Sequence, residues 1–159
     1  MEPTLLEKNG GGTAPTNAML MPLRPTSIRE DGRGRLVEII NRGKWAAVLH
    51  GTFSTGAVLG NHYHKRTEVF LFLLSGIAQV NVVCTKTLRR SHTELRSGEG
   101  LSLRPNEAHA IRFDEASEVI ILKSQAYTED DPDTFSFTVY ESTEPSVLSR
   151  GDHGSVDSM

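Results

Sequence analysis

His62 and His64 stand one residue apart in "GNHYH" (60–64), and Glu68 follows four positions after the second. Alternate side chains of an extended strand share a face, so the two imidazoles would point the same way and could meet one small object. A third imidazole is offered by His109, which heads a separate apolar run, "HAIRF". Three neutral imidazoles and a carboxylate form a natural ligand set for Fe(II), Zn, Ni, Mn or Co. The expected metal ligands are therefore His62, His64, Glu68 and His109, around one divalent ion. A six-coordinate ion so held would keep two sites open for substrate or water. His50, His92 and His153 lack partner spacing and read as structural or exposed.

Bringing such ligands together calls for strands from different hairpins, and the chain is rich in strand signals. "RLVEIIN", "KWAAVLHGTF", "AVLGNHYH", "EVFLFLL", "IAQVNVVCTK", "GLSLRP", "HAIRF", "EVIILKSQAY" and "FSFTVY" are short runs dominated by Val, Ile, Leu, Phe and Tyr. Gly, Pro, Asn or Asp separates most of them, as in "EDGRG", "RSGEG" and "EDDPD". No window of helical length keeps a 3.6-residue period. The expected class is all-β, an antiparallel sandwich or closed barrel. Residues 1–19, rich in Gly, Thr, Asn and Pro, and the polar stretch 141–159 are expected to be flexible, which leaves 20–140 as a single domain.

The bulk properties narrow the function classes. A chain of 159 residues suits one core, and 37% hydrophobic with 23% charged residues is a soluble composition. No apolar run approaches the ~20 residues of a membrane helix. A net charge of −3 gives no basic field for nucleic acid, so a small-molecule substrate is expected. The first residues do not read as an export signal, and a cytoplasmic location is expected. The single cysteine, Cys84, cannot form an internal disulfide and reads as a packed thiol. Exposed strand edges are compatible with a homodimer.

Gly56, five residues, His62, one residue, His64, three residues, Glu68 and then Gly76 form one frame; Gly98, five residues, Arg104, Pro105, Asn106, two residues and His109 form another. Together they resemble the two motifs of the cupin superfamily, over about residues 28–125. Seven residues separate Glu68 from Gly76 where six is usual, which implies a bulge or shifted register in "VFLFLLS". Arg104 and Asn106 replace the usual Pro and Gly of the second motif, and Asn tolerates the positive φ of such a turn. "DGRGRLVEI" (31–39) is similar to the opening of deoxysugar-nucleotide cupins. "GNHYH" itself resembles the C-terminal cupin domain of capsular-polysaccharide assembling reductases, whose cupin part epimerises a keto-sugar nucleotide and holds a divalent metal.

The resemblance implies a cupin-type double-stranded β-helix, or jelly-roll barrel, and a metal-dependent epimerase or isomerase acting on a keto-sugar nucleotide or a related carbonyl compound. The same ligands would serve a non-haem iron dioxygenase or a metal-assisted cyclase, or a non-catalytic binding module. No catalytic residue is assigned: Tyr63, His50 and Glu38 are candidates for carrying a proton, with Tyr63 turned away by strand parity. Arg35, Arg104 and Arg112 are candidates for meeting a diphosphate. Phe70, Phe72, Ile111 and Phe113 would line the apolar interior of such a barrel.

Overall fold

The computed structural model of the chain describes residues 20–140, and the ends expected to be flexible lie outside the described residues. Among the described residues there is no helix. The elements are β1 (Ser27–Asp31), β2 (Gly34–Glu38), β3 (Ala47–Phe53), β4 (Val58–Tyr63), β5 (Val69–Ser75), β6 (Ile77–Cys84), β7 (Arg90–Arg96), β8 (Glu99–Leu103), β9 (Glu107–Phe113), β10 (Ser117–Lys123) and β11 (Phe135–Ser136). β1 and β2 pair only with each other, while the other strands form two sheets in the orders β3-β10-β5-β8 and β11-β4-β9-β6-β7. Every pairing is antiparallel.

The pairs are nested: β3 lies beside β10, β4 beside β9, β5 beside β8 and β6 beside β7. A long hairpin folded over on itself gives this order, and the result is the jelly roll the motifs imply. Alternate residues of facing strands fill the interior, among them Val69, Leu71 and Leu73 of β5, Val80 and Val82 of β6, Ile111 and Phe113 of β9, and Val119 and Ile121 of β10. Phe53 stacks on Phe113 with ring centroids 4.5 Å apart. Leu73 has no exposed surface, so truncating it to alanine should cost about 2–5 kcal/mol.

β5 is buried on both faces, which is why its sequence is a continuous apolar run. Its alternate residues Phe70 and Phe72 form a second cluster with Leu122 on the outside of the barrel, beneath Ile39, Ile40 and Trp45. The expectation that both phenylalanines line the interior is therefore corrected; only Ile111 and Phe113 of that set do so. The bulge implied in "VFLFLLS" is present at Leu74, where the pairing of β5 with β10 steps from Val119↔Leu73 to Glu118↔Ser75. No helix among the described residues is long and apolar enough to cross a membrane.

Candidate functional site

The strand that carries His62 and His64 is bent by a second bulge. On β4, Gly60 pairs with Ala110 and His62 pairs with His109, so Asn61 is the extra residue, with φ of 55°. The bulge lets Leu59 and His62, three positions apart, both face the interior. Gly60 has φ of +111°, and a Cβ there would stand 2.5 Å from the carbonyl oxygen of His109. Only glycine permits that approach, so the "GN" before "HYH" is the device that aims the histidines inward.

His62, His64 and His109 then converge, each with a ring nitrogen within 4.8 Å of the others. Their ring centroids are 4.8 to 5.9 Å apart. The Nδ1–H of His64 donates to the carbonyl of Asp133 at 2.5 Å, and that of His109 donates to the carbonyl of Glu107 at 3.0 Å. A ring whose Nδ1 carries the proton presents a bare Nε2 lone pair. The Nε2 of His64 is buried and has no hydrogen-bond partner among the described residues. Burial is the main cause that lowers all three pKa values, pushing His62 down to about 4 and His109 down to about 3; Lys123 adds to it at all three and neighbouring histidines at His62 and His109, while Asp133 opposes it at His64. At neutral pH the three imidazoles are therefore uncharged donors.

The cavity they share with Val69, Leu71, Leu103, Ile121 and Lys123 has a volume of about 20 Å³, room for a single ion or water. Glu68 is not part of it. Val69 faces inward, so Glu68 is turned outward, its carboxylate 3.9 Å from a guanidinium nitrogen of Arg42. The placement of Glu68 among the histidines is thus corrected: counting the usual six residues back from Gly76 reaches Val69, and it is Val69 that lines the cavity. Sequence reasoning missed Lys123, which is buried at 7% exposure and whose pKa is lowered by loss of water. The alternation Val119, Ile121, Lys123 along β10, inward at its first two members, carried the signal.

The candidate proton carriers lie elsewhere. Tyr63 is on the opposite face of β4, stacked on Phe135 at 5.4 Å, as its parity predicts. His50 pairs with Glu118 at 2.7 Å on the exterior, and Glu38 sits on the β1–β2 hairpin, bonded by Ser27 and Asn41. His92 meets Gln79 at 2.9 Å, and His153 lies outside the described residues.

Beside the histidine cavity is a larger one of about 480 Å³, lined in part by Arg42, Arg89 and Arg104, with Cys84, Ser91 and Glu107. The two adjoin: Val82 lines the larger cavity and pairs with His109, while Leu101 and Leu103 of β8 line one each. Cys84 is a half-buried free thiol at this wall, its pKa lowered chiefly by a hydrogen bond from Thr87. Of the arginines named from sequence, only Arg104 is here; Arg35 is exposed on the hairpin, and Arg112 is paired with Asp114 at 2.8 Å.

Residues 29–135 match the polysaccharide biosynthesis C-terminal domain family, which is more than half of the chain. The chain belongs to this family. Solved structures share the jelly-roll fold of this chain. One is the capsular polysaccharide assembling protein CapF from Staphylococcus aureus, at 20% identity and a TM-score of 0.56 over 71% of this chain and 34% of that one. A 3,4-ketoisomerase from Helicobacter canadensis gives 18% identity and a TM-score of 0.59 over 72% of this chain and 88% of that one. The dTDP-4-dehydrorhamnose 3,5-epimerase from Bacillus anthracis gives 15% identity and a TM-score of 0.61 over 71% and 75%. The chain thus spans about a third of the CapF protein's length. Among curated proteins none matches by sequence.

In this member of the polysaccharide biosynthesis C-terminal domain family, the donor set fits a divalent ion. Three nitrogens bound at about 2.0–2.1 Å to one tetrahedral centre lie ~3.4 Å apart, so rings whose nitrogens now lie within 4.8 Å of one another close on an ion by drawing together by up to about 1.4 Å. The buried, unpartnered Nε2 of His64 is what such an ion would satisfy.

Proposed function

We propose that the protein is an epimerase or isomerase of keto-sugar nucleotides that holds one divalent ion at His62, His64 and His109. The observation that carries this reading is the convergence of three uncharged imidazoles, two of them locked by backbone carbonyls, next to an arginine-lined cavity. A divalent ion there would supply a Lewis acid for a sugar carbonyl. The three histidines keep their lone pairs free because the cavity is too dry to let them protonate. The Lys123 amine, whose pKa is lowered by burial, lines the same cavity and is the group in it that would carry a proton between the solvent-facing side and the carbon next to the carbonyl. Arg42, Arg89 and Arg104 bind the diphosphate through charge-assisted hydrogen bonds. The fold likeness to an epimerase and a ketoisomerase supports the same chemistry.

A homodimer belongs to this reading. Among the described residues the β1–β2 hairpin pairs with no other strand and exposes Ile28 and Leu36, and isolated two-stranded hairpins are marginal in water.

The test is incubation of untagged protein with keto-sugar nucleotides in deuterium oxide, together with elemental analysis. Deuterium entering the sugar next to its carbonyl, without oxygen uptake, is the expected result. Iron in the protein with substrate-dependent oxygen consumption would instead establish the dioxygenase.

A further inference from the structure

Asp133 lies far from the histidine motif in sequence yet grips four consecutive residues that begin with His64. Its Oδ1 accepts the backbone N–H of Lys65 at 3.0 Å. Its Oδ2 accepts the N–H of Arg66 at 2.9 Å and both the N–H and hydroxyl of Thr67 at 2.8 Å. Successive backbone N–H groups turned toward one point form an anion-binding nest, and here the anion is supplied by the chain itself. Burial alone would raise the Asp133 pKa, but the Thr67 hydroxyl and the three amides outweigh it and keep the carboxylate ionised. The carbonyl of the same residue accepts the Nδ1–H of His64. The segment is seated on β4 by Phe135, which stacks on Tyr63 and lies 4.1 Å beneath the Lys65 ammonium.

We infer that Asp133 is a positioning residue for His64: its carboxylate clamps residues 65–67 so that its own carbonyl fixes the His64 ring with Nδ1 protonated and Nε2 directed into the cavity. His109 gets the same tautomer from Glu107, two residues away on its own strand, and needs no such clamp. That difference supplies an internal control. The inference bears on the proposed ion site but is read without any ion.

The experiment is long-range 1H–15N correlation of the imidazoles in ¹⁵N-labelled, metal-free protein. The wild type should show the Nδ1–H tautomer at both His64 and His109. Asp133→Ala should move His64 toward the Nε2–H form or tautomer exchange and leave His109 unchanged, while Asp133→Asn, which keeps one acceptor oxygen, restores part of the signal. Thr67→Val, which removes a single clamp bond, should shift His64 in the same direction by less. Cobalt(II) affinity should fall about 10- to 100-fold in Asp133→Ala, as for other groups that orient a liganding histidine. An unchanged His64 tautomer in Asp133→Ala, or in Thr67→Val should the former not fold, overturns the inference. Equal disturbance of His64 and His109 also overturns it, because it marks general loosening. A wild type that takes up no cobalt would sink the ion site while leaving the tautomer result to decide the role of Asp133.

Discussion

The histidine cavity and the arginine-lined cavity are both lined by residues of β8 and β9, yet they differ in size and in charge. The first has about 20 Å³ and offers uncharged nitrogens from buried rings; the second has about 480 Å³ and offers guanidinium groups. The nucleoside diphosphate part of a substrate does not fit the first, and three guanidinium groups favour an anion over a cation in the second. On the proposed reading the barrel separates chemistry from anchoring, so that phosphate binding away from the reacting carbon would orient it. Glu68 sharpens the contrast: turned outward to Arg42, it leaves the histidine cavity without a carboxylate among its lining residues. A divalent ion held there by three neutral donors would form a complex with a net double charge.

The sharpest way to break this division is Lys123→Met, which keeps the shape of the side chain and removes its amine. Deuterium exchange into the substrate should fall about 100-fold or more, while metal content stays at the wild-type level; preserved exchange would remove Lys123 from the reaction. Next in size is Arg104→Ala, alone and with Arg42→Ala. Loss of charge-assisted bonds worth about 1.5–3 kcal/mol should weaken nucleoside diphosphate binding roughly 10-fold or more, measured by calorimetry, and again leave metal content unchanged. A parallel fall in metal content would show that the two cavities are one site.

The pH dependence of stability tests the dryness of the histidine cavity. His62 and His109 titrate at about 4 and about 3 in the folded chain, against 6.5 when freely solvated. As pH falls below 6.5 the unfolded chain takes up protons that the folded one refuses, so stability is complete above that value and is lost progressively toward pH 3. Metal-free protein should melt roughly 5–10 °C lower at pH 4.5 than at pH 7, and a His62→Ala, His109→Ala double variant should lose most of that slope. The smallest effect is expected for Glu68→Gln. Its metal content should change less than about two-fold, because its carboxylate meets only a partly exposed arginine; a tenfold loss would return Glu68 to the ion.

Much of this was legible in the letters because it is local. The period-two placement of His62 and His64, the glycine and asparagine before them, and the turn residues between apolar runs all act within a few positions. The orientation of Glu68 was not legible in the same way. β5 is apolar on both faces, so its sequence shows no alternation, and only the pairing with β8 and β10 reveals that Val69 is inward. Lys123 was readable from the parity of β10 but sits at the end of a run that looks like ordinary core. Asp133 and Arg42 act on residues far away in the chain, and no short-range pattern announces a contact closed by the barrel.

The most direct measurement is the metal-to-protein ratio of untagged protein, taken for the wild type, His62→Ala and His109→Ala under one purification. One divalent ion per chain in the wild type, falling at least tenfold in each variant, is the expected result. Equal metal content in all three proteins, or none in a wild type offered zinc, iron, nickel and manganese, would contradict an ion held by His62, His64 and His109.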